Sequence, residues 1–220
     1  MTEPLTVLYE DNHLLAVNKP AGLLTMGDDT GDETVVDLVR NYLREKYNKP
    51  GNVYVGVVHR LDRPVSGVLL LARTSKAAGR LSNQFRAGTV QKTYHAIVEK
   101  APDDPEATLT DWLLKDSATN TVRCVTSKTD RAKKAVLDYR LLGNEESGTR
   151  LEIRPKTGRS HQIRVQLSSR EMPIVGDVKY GASRGLGHRI LLHAVALDLE
   201  HPVRKEPLRV ECAAEFDLCG

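Results

Sequence analysis

The chain has 220 residues, enough for one sizeable core and short for two independent domains. Hydrophobic residues make up 40% and charged residues 28%, which excludes a disordered tail, and no apolar run is long enough to span a bilayer. The formal net charge is +3, and the start MTEPLTVLYED lacks the basic-then-apolar pattern of a secretory signal, so the expected location is cytoplasmic.

In chain order, LTVLYE and LLAVNKP flank the turn-like DNH and read as a β-hairpin, stopped by Pro20 and Gly22. Beyond the acidic GDDTGDE, the residues Val35, Val36, Leu38, Val39, Tyr42 and Leu43 recur at helical spacing, with Asp32 or Thr34 as the cap and Pro50-Gly51 as the stop. NVYVGVVH and GVLLLAR read as strands flanking a charged knot, followed by a helix through Ala77, Ala78, Leu81 and Phe85 that ends at Gly88. VQKTYHAIVEK, TLTDWLL, TVRCVTS, AVLDYRLL and TRLEIRPK follow at short intervals as antiparallel strands. SHQIRVQLSSRE is a short helix broken by Pro173 and Gly176, and ILLHAVALDLEHP and LRVECAAEF close the chain as strands. The expected class is α+β, a mixed, mostly antiparallel sheet with a few flanking helices, in one domain over 1–220; a boundary near Ala101–Pro105 carries little weight. Cys124, Cys212 and Cys219 are odd in number and match no metal spacing, so they read as free thiols.

The charge is unevenly spread. Residues 1–37 hold eight acidic residues against Lys19 alone, whereas 59–95 hold seven Lys/Arg against Asp62 alone, and 150–193 hold nine against three acids. Two basic zones of this kind suit a polyanion, although any single Lys or Arg is more often a solvated surface group. The knot in VHRLDRPVSG sets Asp62 among His59, Arg60 and Arg63 on a loop closed by Pro64 and Gly67. Neighbouring positive charge favours the carboxylate form, which suits a nucleophile better than a general acid. Against this stands the plain structural reading, an ion pair that ties down the loop.

Other chemistries find less support. No second acid lies near Asp62 in sequence for glycoside hydrolysis, and no phosphate-binding Gly-Lys-Ser/Thr motif, dinucleotide fingerprint or nucleophile elbow is present. His161 and His193 have no partners at ligand spacing, so hydrogen-bonding roles are favoured and no metal is expected.

Taken together, VLYEDNHLLAVNKPAGLLT, HRLDRPVSG, QKTYHAIV, PKTGRSHQIRVQL, PIVGDVKYG and LLHAVALDLEHP resemble the motifs of the RluA family of RNA pseudouridine synthases, in order and over roughly residues 5–214. The resemblance implies the pseudouridine synthase fold and a catalytic domain without an N-terminal RNA-binding module of the S4 type. By the same resemblance Asp62 is the catalytic carboxylate, Tyr94 the active-site tyrosine, Arg164 the basic partner of the aspartate, and Arg60 the residue that helps displace the target nucleotide. Ile163 would wall the base pocket, and Lys19, Arg63, Lys92 and Arg159 would contact phosphates. Tyr94, Arg164 and Ile163 each have a bland counterpart: a half-buried strand tyrosine, a helix-surface arginine, a core isoleucine. The reaction moves uracil from an N1 to a C5 linkage and needs no redox step, metal or cofactor; attack of Asp62 at C1′ and deprotonation at C2′ both stay open.

Two positions depart from the family pattern: Val65 stands where threonine is usual, and Gln166 where a histidine often follows HQIRV. Few aromatic residues leave little room for an extended base-stacking platform. The expected partner is rRNA or tRNA, with specificity in 27–33, 115–134 and 181–188, no membrane, and a monomeric state. The alternatives are a non-catalytic RNA-binding or RNA-folding protein, and a hydrolase of the nucleoside C–N bond that would release uracil.

Overall fold

The computed structural model describes residues 5–27, 31–214 and 216. Cys219 and residues 28–30 of the acidic loop lie outside them. Among the described residues the elements number eleven strands and three α-helices, with one additional 3-10 turn, Val178–Tyr180. The chain divides into two compact units, residues 1–90 with 194–214 and residues 91–193 with 215–220, so the break after Val90 precedes the Ala101–Pro105 stretch.

In the first unit, β1 (Thr6–Glu10) pairs antiparallel with β2 (Leu14–Lys19). The Asp11 carboxylate closes their turn by accepting the N–H groups of His13 and Leu14, each at 2.7 Å. Helix α1 (Val35–Lys46) starts at Thr34, whose side chain and that of Asp37 form a reciprocal capping box. It ends before Asn48, a left-handed residue with φ 46°, and so stops short of Pro50-Gly51.

The predicted strand over NVYVGVVH shrinks to β3 (Gly56–Val57). Val53 and Val55 are buried without joining the ladder, and β3 meets only Leu71 and Ala72 of β4 (Ser66–Ala72). Both β2 and β4 are nearly continuous apolar runs, buried throughout Leu14–Val17 and Gly67–Ala72, as central strands should be. Leu14, Ala16, Val68, Leu70 and Ala72 form one face of the core with Ala77 and Leu81 of α2 (Ser75–Ala87). Gly88, at φ 72°, caps α2 in the left-handed region as the sequence indicates.

In the second unit the strand order is β5-β9-β8-β6-β7, with β5 Gln91–Val98, β6 Glu106–Asp116, β7 Thr121–Val125, β8 Lys133–Glu145 and β9 Gly148–Pro155. All these pairings are antiparallel. The segment 115–134, named above for specificity, holds the tip of the β6–β7 hairpin, with the expected strand at Thr121–Val125, and the turn that leads into β8. Helix α3 (Gln162–Ser168) follows β9, and HAVALDLE lies on β10 (Leu192–Glu200), which pairs with β11 (Pro207–Glu211) in the first unit. The β1–β2, β2–β4, β3–β4 and β10–β11 pairings are antiparallel as well, and isolated parallel bridges such as Leu24–Thr34 occur outside the strands; the sheet is mixed and mostly antiparallel.

Candidate active site

The first unit holds Lys19, Arg60, Asp62 and Arg63. Asp62 is half-buried on the segment between β3 and β4, and its carbonyl accepts the N–H of Val65 at 3.0 Å, which folds the Asp62–Val65 turn. Three connections bind this turn to the stretch after β2. Thr25 Oγ1 donates to the Leu61 carbonyl at 2.9 Å and accepts the Leu61 N–H at 3.2 Å. Gly22 N–H donates to the Arg63 carbonyl at 2.8 Å, and Arg63 Nε returns a bond to the Gly22 carbonyl at 2.9 Å.

Lys19 makes the third connection, and it corrects an expectation. A surface phosphate contact was expected, but Lys19 is 0% exposed. Its ammonium donates to the carbonyls of Pro20 (2.8 Å), Leu23 (2.7 Å) and Arg63 (3.2 Å). All three protons are committed, so the residue clamps the aspartate loop and presents nothing to a phosphate. Burial pushes Lys19 down to about 7; the Asp62 charge opposes this and the Arg63 charge adds to it.

Around Asp62 the other side chains differ in kind. His59 is not one of the cations: its Nε2 accepts the Leu70 N–H at 2.9 Å, which an imidazolium cannot do, and its ring stacks on Phe85. Arg60 is exposed. Arg63 is exposed and paired with Asp32 at 2.9 Å. Val65 is buried, so its departure from the family threonine falls on packing.

Five residues after Asp62, Gly67 of β4 has φ 111°, and a Cβ there would stand 2.3 Å from the carbonyl oxygen of Ala194 on β10. Only glycine lets β4 and this strand approach so closely.

The second unit holds Lys92, Tyr94, Arg159, Ile163 and Arg164. Tyr94 is half-buried on β5, opposite Ile153 of β9. Two residues earlier, Lys92 reaches the Thr157 carbonyl at 3.1 Å, and burial lowers its basicity. Exposed Arg159 donates from Nε to the Lys134 carbonyl at 3.0 Å.

Helix α3 is buried from Gln162 to Leu167, so Arg164 is no surface cation. Arg164 forms a forked ion pair with Asp177, Nε to Oδ2 at 2.6 Å and Nη2 to Oδ1 at 2.7 Å. Ile163 is buried beside it. Gln166, the second departure, is also buried; its Nε2 donates to Asp111 Oδ2 at 2.7 Å, and Arg170 clasps the same carboxylate.

The structure thus gathers Lys19, the Asp62 turn and Arg63 in one unit, and Ile163 and Arg164 on one helix of the other. Sequence reasoning missed Thr25, Asp177 and Tyr180. Asp177 and Tyr180 lie within PIVGDVKYG, a quoted motif to whose side chains no role was given. Among the described residues no cluster of His, Cys, Asp and Glu is placed to hold a metal, and no helix is long and apolar enough to cross a membrane.

Comparison with solved structures defines the class. The chain superposes on the human RNA pseudouridylate synthase domain-containing 4 with a TM-score of 0.80 and 26% identity, covering 96% of this chain and 89% of that one. The human domain-containing 1 protein gives 0.78 and 26%, covering 97% and 84%. The fold is that of a pseudouridine synthase domain.

The RNA pseudouridylate synthase family model matches residues 13–169, and the chain belongs to that family. It is 36% identical to tRNA pseudouridine synthase C of Pectobacterium carotovorum over 94% of this chain and 58% of that protein. Ribosomal large subunit pseudouridine synthase D of Xylella fastidiosa is 35% identical over 98% of this chain and 68% of its own length. The tRNA pseudouridine synthase C of Salmonella typhi is 35% identical over 96% and 86%. Relatives with these names place the chain in the RluA group, as its motifs imply. The chain spans under two thirds of the Pectobacterium relative's length.

Proposed function

We propose that this protein isomerises a specific uridine of rRNA or tRNA to pseudouridine, with Asp62 as the catalytic carboxylate. The observation that carries the reading is the Asp62 turn, a half-buried carboxylate on a loop held by Lys19, Thr25 and Gly22, inside the stretch matched to the family. The relatives named for tRNA and for the ribosomal large subunit support the two substrate classes.

In the reaction the C1′–N1 bond breaks and a C1′–C5 bond forms; C5 loses its proton and N1 gains one. Atoms and electrons balance without an oxidant, reductant or metal. Asp62 attacks the sugar or removes a proton from it, so the carboxylate must stay ionised and aimed. Arg164, by its family position, pairs with Asp62 and favours that charged form. Tyr94 supplies a flat ring for the detached uracil and a hydroxyl for proton movement at C5. Extruding a base from paired RNA costs a few kcal/mol, and the exposed planar guanidinium of Arg60 suits the vacated stack. Arg63, Lys92 and Arg159 would add sequence-independent attraction to the backbone. The protein acts as a cytoplasmic monomer.

The test maps pseudouridine across rRNA and tRNA from cells lacking the gene, complemented with wild type or Asp62→Asn. A site that vanishes on deletion and returns only with wild type is the expected result and names the substrate. If no site depends on the gene while the protein is expressed, RNA binding without modification becomes the better account.

A further inference from the structure

Arg164 lies 5% exposed on α3, and a buried guanidinium requires a partner that neutralises it and fixes its plane. Asp177, itself 2% exposed, does both through the fork described above. The fork uses the Nε–Nη2 edge of the guanidinium, so the Nη1 end points away from Asp177. An anion served by Arg164 is therefore met by the remaining donors, the two N–H groups of Nη1 and the second N–H of Nη2.

The plane is fixed a second way. Tyr180 lies with its ring 4.8 Å from the Arg164 Cζ, and its hydroxyl is held by the Val122 N–H at 2.9 Å and His161 Nδ1 at 2.7 Å. His161 precedes α3 in a left-handed conformation, φ 50°, with its ring turned to Tyr180 and not to a capping role. The backbone is shaped to deliver both side chains from one short turn. Tyr180 N–H donates to the Asp177 carbonyl at 2.9 Å, and Gly176 at φ 90° has no room for a Cβ, which would lie 2.9 Å from the Arg189 carbonyl oxygen.

We propose that Asp177 is a positioning residue for Arg164, and that Tyr180, steadied by His161, completes its seat. The inference rests on the proposed function, in which Arg164 acts on the catalytic carboxylate. Asp177 touches no reacting atom in this scheme. Its work is to choose which edge of the guanidinium is presented.

The test is steady-state isomerisation of the RNA identified by the mapping, comparing wild type, Asp177→Asn and Asp177→Glu, with circular dichroism as the fold control. Folded Asp177→Asn is expected to lose kcat by about 100-fold, the scale of a misplaced catalytic group, with KM for RNA within about threefold of wild type. Asp177→Glu keeps the charge but moves it by one methylene, and should recover about tenfold of the loss while leaving kcat about tenfold below wild type. Tyr180→Phe, which retains the ring, should show a smaller fall in kcat, again at constant KM.

A folded Asp177→Asn with wild-type kcat, or a loss confined to KM, overturns the proposal. If Asp177→Asn does not fold, Asp177→Glu decides: reduced kcat at constant KM supports positioning, and wild-type kcat overturns it. If neither folds, Asp177 is a folding residue and the proposal fails. Should wild type and Asp62→Asn both be inactive on every RNA, the proposed function itself has failed, which is a different outcome from an active wild type indifferent to Asp177.

Discussion

Replacing Lys19 with methionine should change how stability depends on pH. The side chain is fully buried, and its ammonium sits among three carbonyl oxygens. Burial holds its pKa near 7 against an ordinary lysine value of 10.5. Between these values the unfolded chain binds a proton that the folded chain releases, so stability rises with pH across the window. The gain is complete above 10.5 and is lost as pH falls through about 7.

At about 1.36 kcal/mol per pKa unit the whole window is worth up to about 5 kcal/mol. The part between pH about 7 and about 9.5 is worth about 3 kcal/mol, or roughly 6–12 °C in Tm for a chain of this size. Methionine has no such term. It also leaves the Pro20 and Leu23 carbonyls without this donor, a roughly pH-independent cost of about 1–3 kcal/mol each. Other groups titrate in the same range, so the quantity to plot is the wild-type Tm minus the Lys19→Met Tm across a buffer series. It should climb steadily from pH about 7 to about 9.5. A flat difference would refute the buried-ammonium argument.

Thr25→Val removes both bonds to Leu61, the neighbour of Asp62, and should cost about 2–4 kcal/mol in urea unfolding as well as lowering kcat. Gly67→Ala should lose more than about 3 kcal/mol, or fail to accumulate as soluble protein, because the new methyl meets the Ala194 backbone and the positive φ strains alanine. Thr34→Ala breaks the capping box of α1 and should lower stability by about 1 kcal/mol while leaving the isomerisation rate unchanged, which a thermal melt and a rate assay on one sample would check.

Local signals in the sequence found most elements because those elements are locally determined. Thr34 caps α1, Gly88 ends α2, and the apolar runs through Leu14 and Leu69 become central strands. Where partners decide the outcome, the sequence was less informative. NVYVGVVH has the composition of a strand, yet only Gly56 and Val57 find a place on the edge of β4.

The same holds for the site. Asp62, Tyr94 and Arg164 stand out by their motifs. The partners that set their surroundings lie tens of residues away or, like Asp177, in a turn whose carboxylate reads as a surface group. Lys19 was misread for a general reason: lysine is rarely buried, and only the three converging carbonyls of Pro20, Leu23 and Arg63 make this site tolerable.

The most direct test of the central claim uses RNA carrying tritium at C5 of its uridines, incubated with purified wild type or Asp62→Asn. Forming the C1′–C5 bond must expel the C5 hydrogen. Wild type is therefore expected to release tritium to water in proportion to the pseudouridine formed, with no free uracil, and Asp62→Asn to release none. Free uracil would contradict isomerisation and point to C–N hydrolysis, and equal release by both proteins would contradict the role of Asp62.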